Sequence, residues 1–171
     1  MRLKLFNFDF IIEYSFLLLL SFALLLGAQD IAFLLLFSSL HELGHIIALL
    51  CLGGKIDKLT LSFYGLALKY SSSLTNIKEF TVIICGPIVN LVLYFILKDD
   101  INLLLFILNI LPVYPLDGGR ALRICLPKIS KPISIVTLAV IIVFSFYLII
   151  CYHSFSLILI SCYLLAYSLL F

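Results

Sequence analysis

Charge is what this 171-residue chain has least of. Only 12% of its residues are charged against 64% hydrophobic, and the mean hydropathy is +1.28. So little polar surface cannot cover a soluble core, which excludes an ordinary globular domain and leaves an integral membrane protein. No basic run is long enough to follow a phosphate backbone, so nucleic acid is excluded as a partner. The five cysteines, Cys51, Cys85, Cys125, Cys151 and Cys162, form an odd set with no Cys-x-x-Cys pair, which argues against thiolate metal sites and a disulfide framework. They read as small apolar packing residues. No internal repeat and no low-complexity linker interrupts the chain, so a single membrane domain over residues 1–171 is expected.

What the chain has in abundance is apolar runs. Segments of roughly 17 to 25 apolar residues between polar breaks predict about six spans. They cover Ile11 to Ala28, Ile31 to Leu52, Phe80 to Leu97, Ile101 to Leu126 with an internal break, Ile133 to Cys151 and Phe155 to Phe171. In this arrangement Arg2, Lys4, Lys55, Lys58, Lys69, Lys78, Arg120, Arg123, Lys128 and Lys131 share one face, and only Lys98 falls on the other, beside Asp99 and Asp100. The positive-inside rule then places both termini in the cytosol. The N-terminal run reads as the first membrane helix and not as a cleaved leader. Asp9 and Glu13 precede the apolar stretch that begins after Glu13, and Gly27-Ala28-Gln29 makes a poor cleavage site.

One segment is neither span nor ordinary loop. From Lys58 to Lys69, apolar residues alternate with small or polar ones and Gly65 suggests a turn, which predicts a short β-hairpin. Its scarcity of charge predicts association with the membrane, where irregular backbone must be buried in protein or line a cavity. The expected fold is therefore an all-α polytopic membrane protein with this hairpin between its second and third spans.

The chain has only three histidines, and two of them lie in the middle of the second span, in His41-Glu42-Leu43-Gly44-His45. Ionisable groups at such depth are costly and usually mark function. Histidines four apart on a helix share one face, about 6 Å apart along the axis, so both can bind one zinc ion. Glu42 between them can take a proton from water activated by that metal. Hydrolytic zinc sites usually use three protein ligands. His153 lies in the turn between the last two spans and reads as a solvated turn residue. Asp117 is the better candidate for the third ligand, in Pro112-Val-Tyr-Pro115-Leu116-Asp117-Gly118-Gly119, where two prolines break a span and Gly118-Gly119 permit close backbone approach. An alternative role for Asp117 is to cap the helix that restarts there.

Depth counting at 1.5 Å per residue supports convergence. His45 lies about 10 Å and His41 about 16 Å from the cytosolic end of their span, with Asp117 and Asn90 each about 15 Å in from theirs. Asn90, in Gly86-Pro87-Ile-Val-Asn90, either donates to a substrate carbonyl or oxyanion or ties two helices together. Asn109, one turn before the proline break, reads as a partner for freed backbone.

Taken together, His41-Glu42-Leu-Gly-His45, Gly86-Pro87-Ile-Val-Asn90, and Asn109 through Pro115-Leu116-Asp117-Gly118-Gly119 resemble the site-2 protease family of intramembrane zinc metalloproteases. The six-span type of stage IV sporulation protein FB is the nearest in pattern. The resemblance covers residues 5–126 as a catalytic core, with the final two spans, residues 133–171, matched only by number. It implies zinc held by His41, His45 and Asp117, with Glu42 as general base and acid and Asn90 assisting substrate or oxyanion. It also implies a membrane-associated protein substrate, such as a sporulation sigma-factor precursor, and allows a membrane-embedded inhibitor or regulator. Neither the family's inserted PDZ domain nor its nucleotide-sensing CBS domain is expected within these 171 residues. Pairing of the hairpin at Leu59 to Leu68 with an extended substrate is the expected way to unwind it. Two other classes share the same polar cluster: a catalytically silent partner-binding protein, which has no need of Glu42, and an ion-binding transporter.

Overall fold

The apolar runs become helices because, without water, each backbone donor must be satisfied within its own segment. The computed structural model describes residues 2–5, 8–62, 65–70 and 74–170. The chain divides into two compact units, Met1–Phe106 and Ile107–Phe171.

The first unit opens with β1 (Arg2–Leu5) and β2 (Phe8–Ile12), followed by α1 (Tyr14–Leu25) and α2 (Gln29–Cys51). Next come β3 (Ile56–Ser62), β4 (Gly65–Tyr70) and α3 (Asn76–Leu97). The predicted hairpin is present as β3 and β4, but it is half of a four-stranded sheet in the order β1-β2-β3-β4. Gly65, expected in the turn, is the first residue of β4, and residues 63–64 fall outside the described residues. β2 lies parallel to β3, Asp9 opposite Lys58 and Ile12 opposite Leu61, and the Glu13 amide extends the pairing to the Leu61 carbonyl at 2.8 Å. This corrects the first span, which was placed from Ile11. Phe8–Ile12 is a strand, and α1 has 12 residues, about 18 Å of helix against a hydrocarbon core of ~30 Å.

The core of this unit joins helix and sheet. Ile46, Ala48 and Leu49 of α2, Ile56 of β3 and Val82 of α3 are buried together, with Leu59, Leu68 and Tyr70 of the sheet packed against them. The sheet is thereby fixed beside the helix that carries the two histidines.

α4 (Asp100–Ile110) passes from the first unit into the second, which continues with α5 (Asp117–Cys125), α6 (Pro127–Tyr152) and α7 (Ser156–Leu170). The break expected within the fourth span lies between α4 and α5, with a cis Tyr114–Pro115 bond. A Cβ at Gly118 would overlap the Ile110 carbonyl, so this turn requires glycine there. Val113, Leu138 and Leu164 form the core of this unit, and the Ser134 hydroxyl donates to the Pro112 carbonyl at 2.7 Å, satisfying one acceptor freed by the break.

Three helices among the described residues are long and apolar enough to cross a bilayer: α2, α3 and α6. α1, α4 and α7 are apolar but shorter. The exposed faces of α6 carry Ile135, Val136, Val140, Val143 and Ile150, a surface that suits lipid and not water.

Candidate metal centre

Helical periodicity puts His41 and His45 on one face of α2, and both are buried. Their rings stand edge-on at 87°, and their Nε2 atoms lie 3.2 Å apart. Two Zn–N bonds of ~2.0–2.1 Å at a tetrahedral angle would separate the nitrogens by about 3.3 Å, so the pair already has the bite of a chelate. The half-buried Glu42 carboxylate completes the cluster, with the ligand atoms of all three residues within 4.8 Å of one another.

α3 shapes the other side. A Cβ at Gly86 would overlap Nε2 and Cε1 of His45 and lie 2.9 Å from Nε2 of His41. The missing side chain therefore lets α3 pack directly against both imidazoles. Gly44 allows α2 to come this near, since a Cβ there would lie 2.9 Å from the Cys85 carbonyl oxygen and 2.7 Å from Val89.

Each ring is also held from behind. The Nδ1–H of His45 donates to the Val82 carbonyl at 2.8 Å. On His41, Nδ1 lies 3.0 Å from Nδ2 of Asn90, which is fully buried. Of the sequence candidates, His41, Glu42, His45 and Asn90 are thus brought together in the first unit. Asn90 of α3 meets His41 of α2 through its amide, so it joins two helices, one of the two roles expected of it. The Val82 carbonyl was not anticipated, and a backbone acceptor leaves no residue-type signal in a sequence.

Asp117 and Asn109 belong to the second unit. Asp117 is the first residue of α5 and is buried. Leu116 is the N-cap, so the carboxylate is not the cap of that helix. Arg120 lies one turn on, its Nη1 3.4 Å from Asp117 Oδ1. Asn109 is half-buried in the last turn of α4, directly before the break. His153 is exposed and left-handed at the end of α6, as a turn residue should be.

No family model matches the chain. Two curated relatives do: a predicted zinc metalloprotease of Synechocystis sp., 32% identical over 159 residues, and a zinc metalloprotease of Methanocaldococcus jannaschii, 34% identical over 119. These cover 70% and 57% of this chain but 42% and 35% of the relatives, so the chain spans less than half the length of either. Among solved structures, the site-2 protease from Methanocaldococcus jannaschii matches with a TM-score of 0.61 and 25% identity, over 96% of this chain and 91% of that one. Sequence and fold together support the site-2 protease family. The site-2 protease likeness extends through α6 and α7, which the motifs alone did not reach.

Proposed function

We propose that this chain is the catalytic membrane domain of a zinc metalloendopeptidase that cleaves a membrane-associated or transmembrane protein near the cytosolic face. The observation that carries the reading is the chelate bite of the two Nε2 atoms, packed against Gly86, with a carboxylate beside them. His41 and His45 hold the metal, and Asp117 is assigned as its third protein ligand from the motif around the proline break. A zinc ion supplies a Lewis acid that acidifies water at neutral pH and polarises a peptide carbonyl. Glu42 takes the proton from the attacking water and passes it to the departing amine. Burial of both imidazoles keeps bulk solvent from competing for their lone pairs. A sporulation sigma-factor precursor is one substrate the stage IV sporulation type would imply.

Six crossings with both termini in the cytosol remain the topology we favour, and the sheet supports its first half. β2 and β3 pair side by side, so they lie on one side of the membrane. The helices between them, α1 and α2, then make an even number of crossings, and α1 must cross with α2 despite its length.

The sheet also revises how a substrate would be unwound. β3 has β2 on one side and β4 on the other, so Leu59 to Leu61 offer no open edge. Among the described residues β4 has a sheet neighbour on one side only, and its outer edge is the place for an added substrate strand. Consecutive amides in a strand point in opposite directions. Of Leu68→Pro and Lys69→Pro, one therefore removes a bond to β3 and the other only an outward donor. The outward variant is expected to slow cleavage several-fold with zinc content unchanged. Wild-type cleavage by that variant removes β4 from the mechanism.

Metal analysis of the purified chain tests the ligand set. His41→Ala and Asp117→Ala should each lose more zinc affinity than the ~10–100-fold expected when only a ligand's hydrogen-bond partner is lost. Full zinc occupancy in Asp117→Ala would dismiss that residue as a ligand.

A further inference from the structure

We propose that the corner between α5 and α6 binds the headgroups of anionic phospholipids through Arg123, Lys128 and Lys131. The second unit, Ile107–Phe171, carries four cations, Arg120, Arg123, Lys128 and Lys131, all within twelve residues, against one acid, Asp117. Asp117 is buried, with Arg120 beside it at 3.4 Å. The other three cations are exposed and make no ion pair among the described residues. No acidic side chain occurs from Gly118 to Phe171. Basic residues of the first unit are set differently. Asp57 adjoins Lys58 in β3, Asp9 stands opposite Lys58 across the strand pair, and Glu79 adjoins Lys78. The positive-inside rule counts cations and is nearly indifferent to acids. It therefore accounts for the lysines of α6 but not for the missing carboxylates around them. A surface that receives an external anion accounts for both.

The chemistry of that anion follows from what surrounds the cations. Leu126 and Ile129, interleaved with them, are 47% and 45% exposed. Lys128, Lys131, Ile135 and Ala139 are spaced three and four residues apart, so they form one stripe along α6, and all four are exposed. This stripe offers two ammonium groups in the first two turns of the helix and bare hydrocarbon beyond them. Inorganic phosphate would use only the charged part. A phospholipid matches the whole stripe, with its phosphate against the lysines and its acyl chains along Ile135 and Ala139. Arg123, in the last turn of α5, has its guanidinium carbon 6.0 Å from the centroid of the Tyr114 ring. The ring steadies the flat face of the guanidinium and leaves N–H groups at its edge for phosphate oxygens. None of these residues belongs to the metal centre, so the outcome is independent of the peptidase reading.

The test is native mass spectrometry of the purified full chain in detergent, titrated with phosphatidylglycerol or with zwitterionic phosphatidylcholine. The wild type should retain phosphatidylglycerol in preference to phosphatidylcholine. Lys128→Gln with Lys131→Gln should weaken that binding by about fivefold per lysine removed, or about thirtyfold for the pair. Arginine at both positions should restore it, which separates lost charge from lost folding. Lys55→Gln with Lys58→Gln removes the same charge from the first unit and should leave the binding unchanged. Equal retention of the two lipids by the wild type would overturn the proposal, and so would equal weakening in the two glutamine pairs, since binding would then follow net charge alone. Displacement of phosphatidylglycerol by millimolar inorganic phosphate would make this a free-phosphate site and reject the lipid. Failure of the arginine pair to bind where the wild type does would show that Lys128 and Lys131 do not act through their charge, which also sinks it.

Discussion

Replacing Gly86 with alanine should empty the metal centre while leaving the helices in place. The added methyl would overlap the imidazole of His45 and approach Nε2 of His41 to 2.9 Å. Neither ring has an easy retreat, because His45 is bonded to Val82 and His41 to Asn90. Overpacking of this kind typically costs about 1–3 kcal/mol in a well-packed core, an amount most membrane helices survive. The ion has no such latitude, because moving either ring away from the methyl spoils the 3.2 Å bite between the two Nε2 atoms. Elemental analysis of the purified variant should find zinc falling from about one per chain towards none, with helical content by circular dichroism unchanged. A Gly86→Ala chain that keeps its zinc at wild-type affinity would show that the ion is not held between α2 and α3.

Glu42→Gln should separate binding from chemistry. The amide keeps the shape of the side chain but cannot accept a proton from water. The metal should stay, since the two imidazoles are untouched. Cleavage should drop about 10²–10⁴-fold, the usual contribution of a positioned acid–base group, or about 2.7–5.5 kcal/mol of barrier at 1.36 kcal/mol per tenfold. Membrane-protein fragments compared between cells carrying wild-type and Glu42→Gln chains would report the loss and reveal the substrate by its accumulation. Normal processing by Glu42→Gln would refute the peptidase reading and favour a binding or transport role for the same residues.

Some of this was legible in the sequence because the rules involved are local. His41 and His45 share a face by helical arithmetic, as do Gly86 and Asn90, and Pro112 and Pro115 announce the break before α5. The misses share a different character. Phe8–Ile12 is apolar and runs almost directly into Tyr14–Leu25, so strand and helix merge into one hydrophobic stretch. Only β3, far along the chain, decides where the strand ends. The free edge on β4 was hidden for the same reason, because it depends on β2 occupying the other side of β3. Asn90 was recognised as polar at the right depth, yet its hold on His41 depends on the distance between two helices, which Gly44 and Gly86 set and no spacing rule encodes.

The parallel pairing of β2 with β3 also bears on how the chain assembles. Asp9 finds Lys58 only after both intervening helices have emerged and taken up their places, so the earliest strands to be synthesised must wait for a partner that arrives much later. Contacts of such long range are slow to form. A bulky tag at the N-terminus, or an insertion between Gly27 and Gln29, should therefore hinder maturation of the freshly made polypeptide far more than the same change after Tyr152.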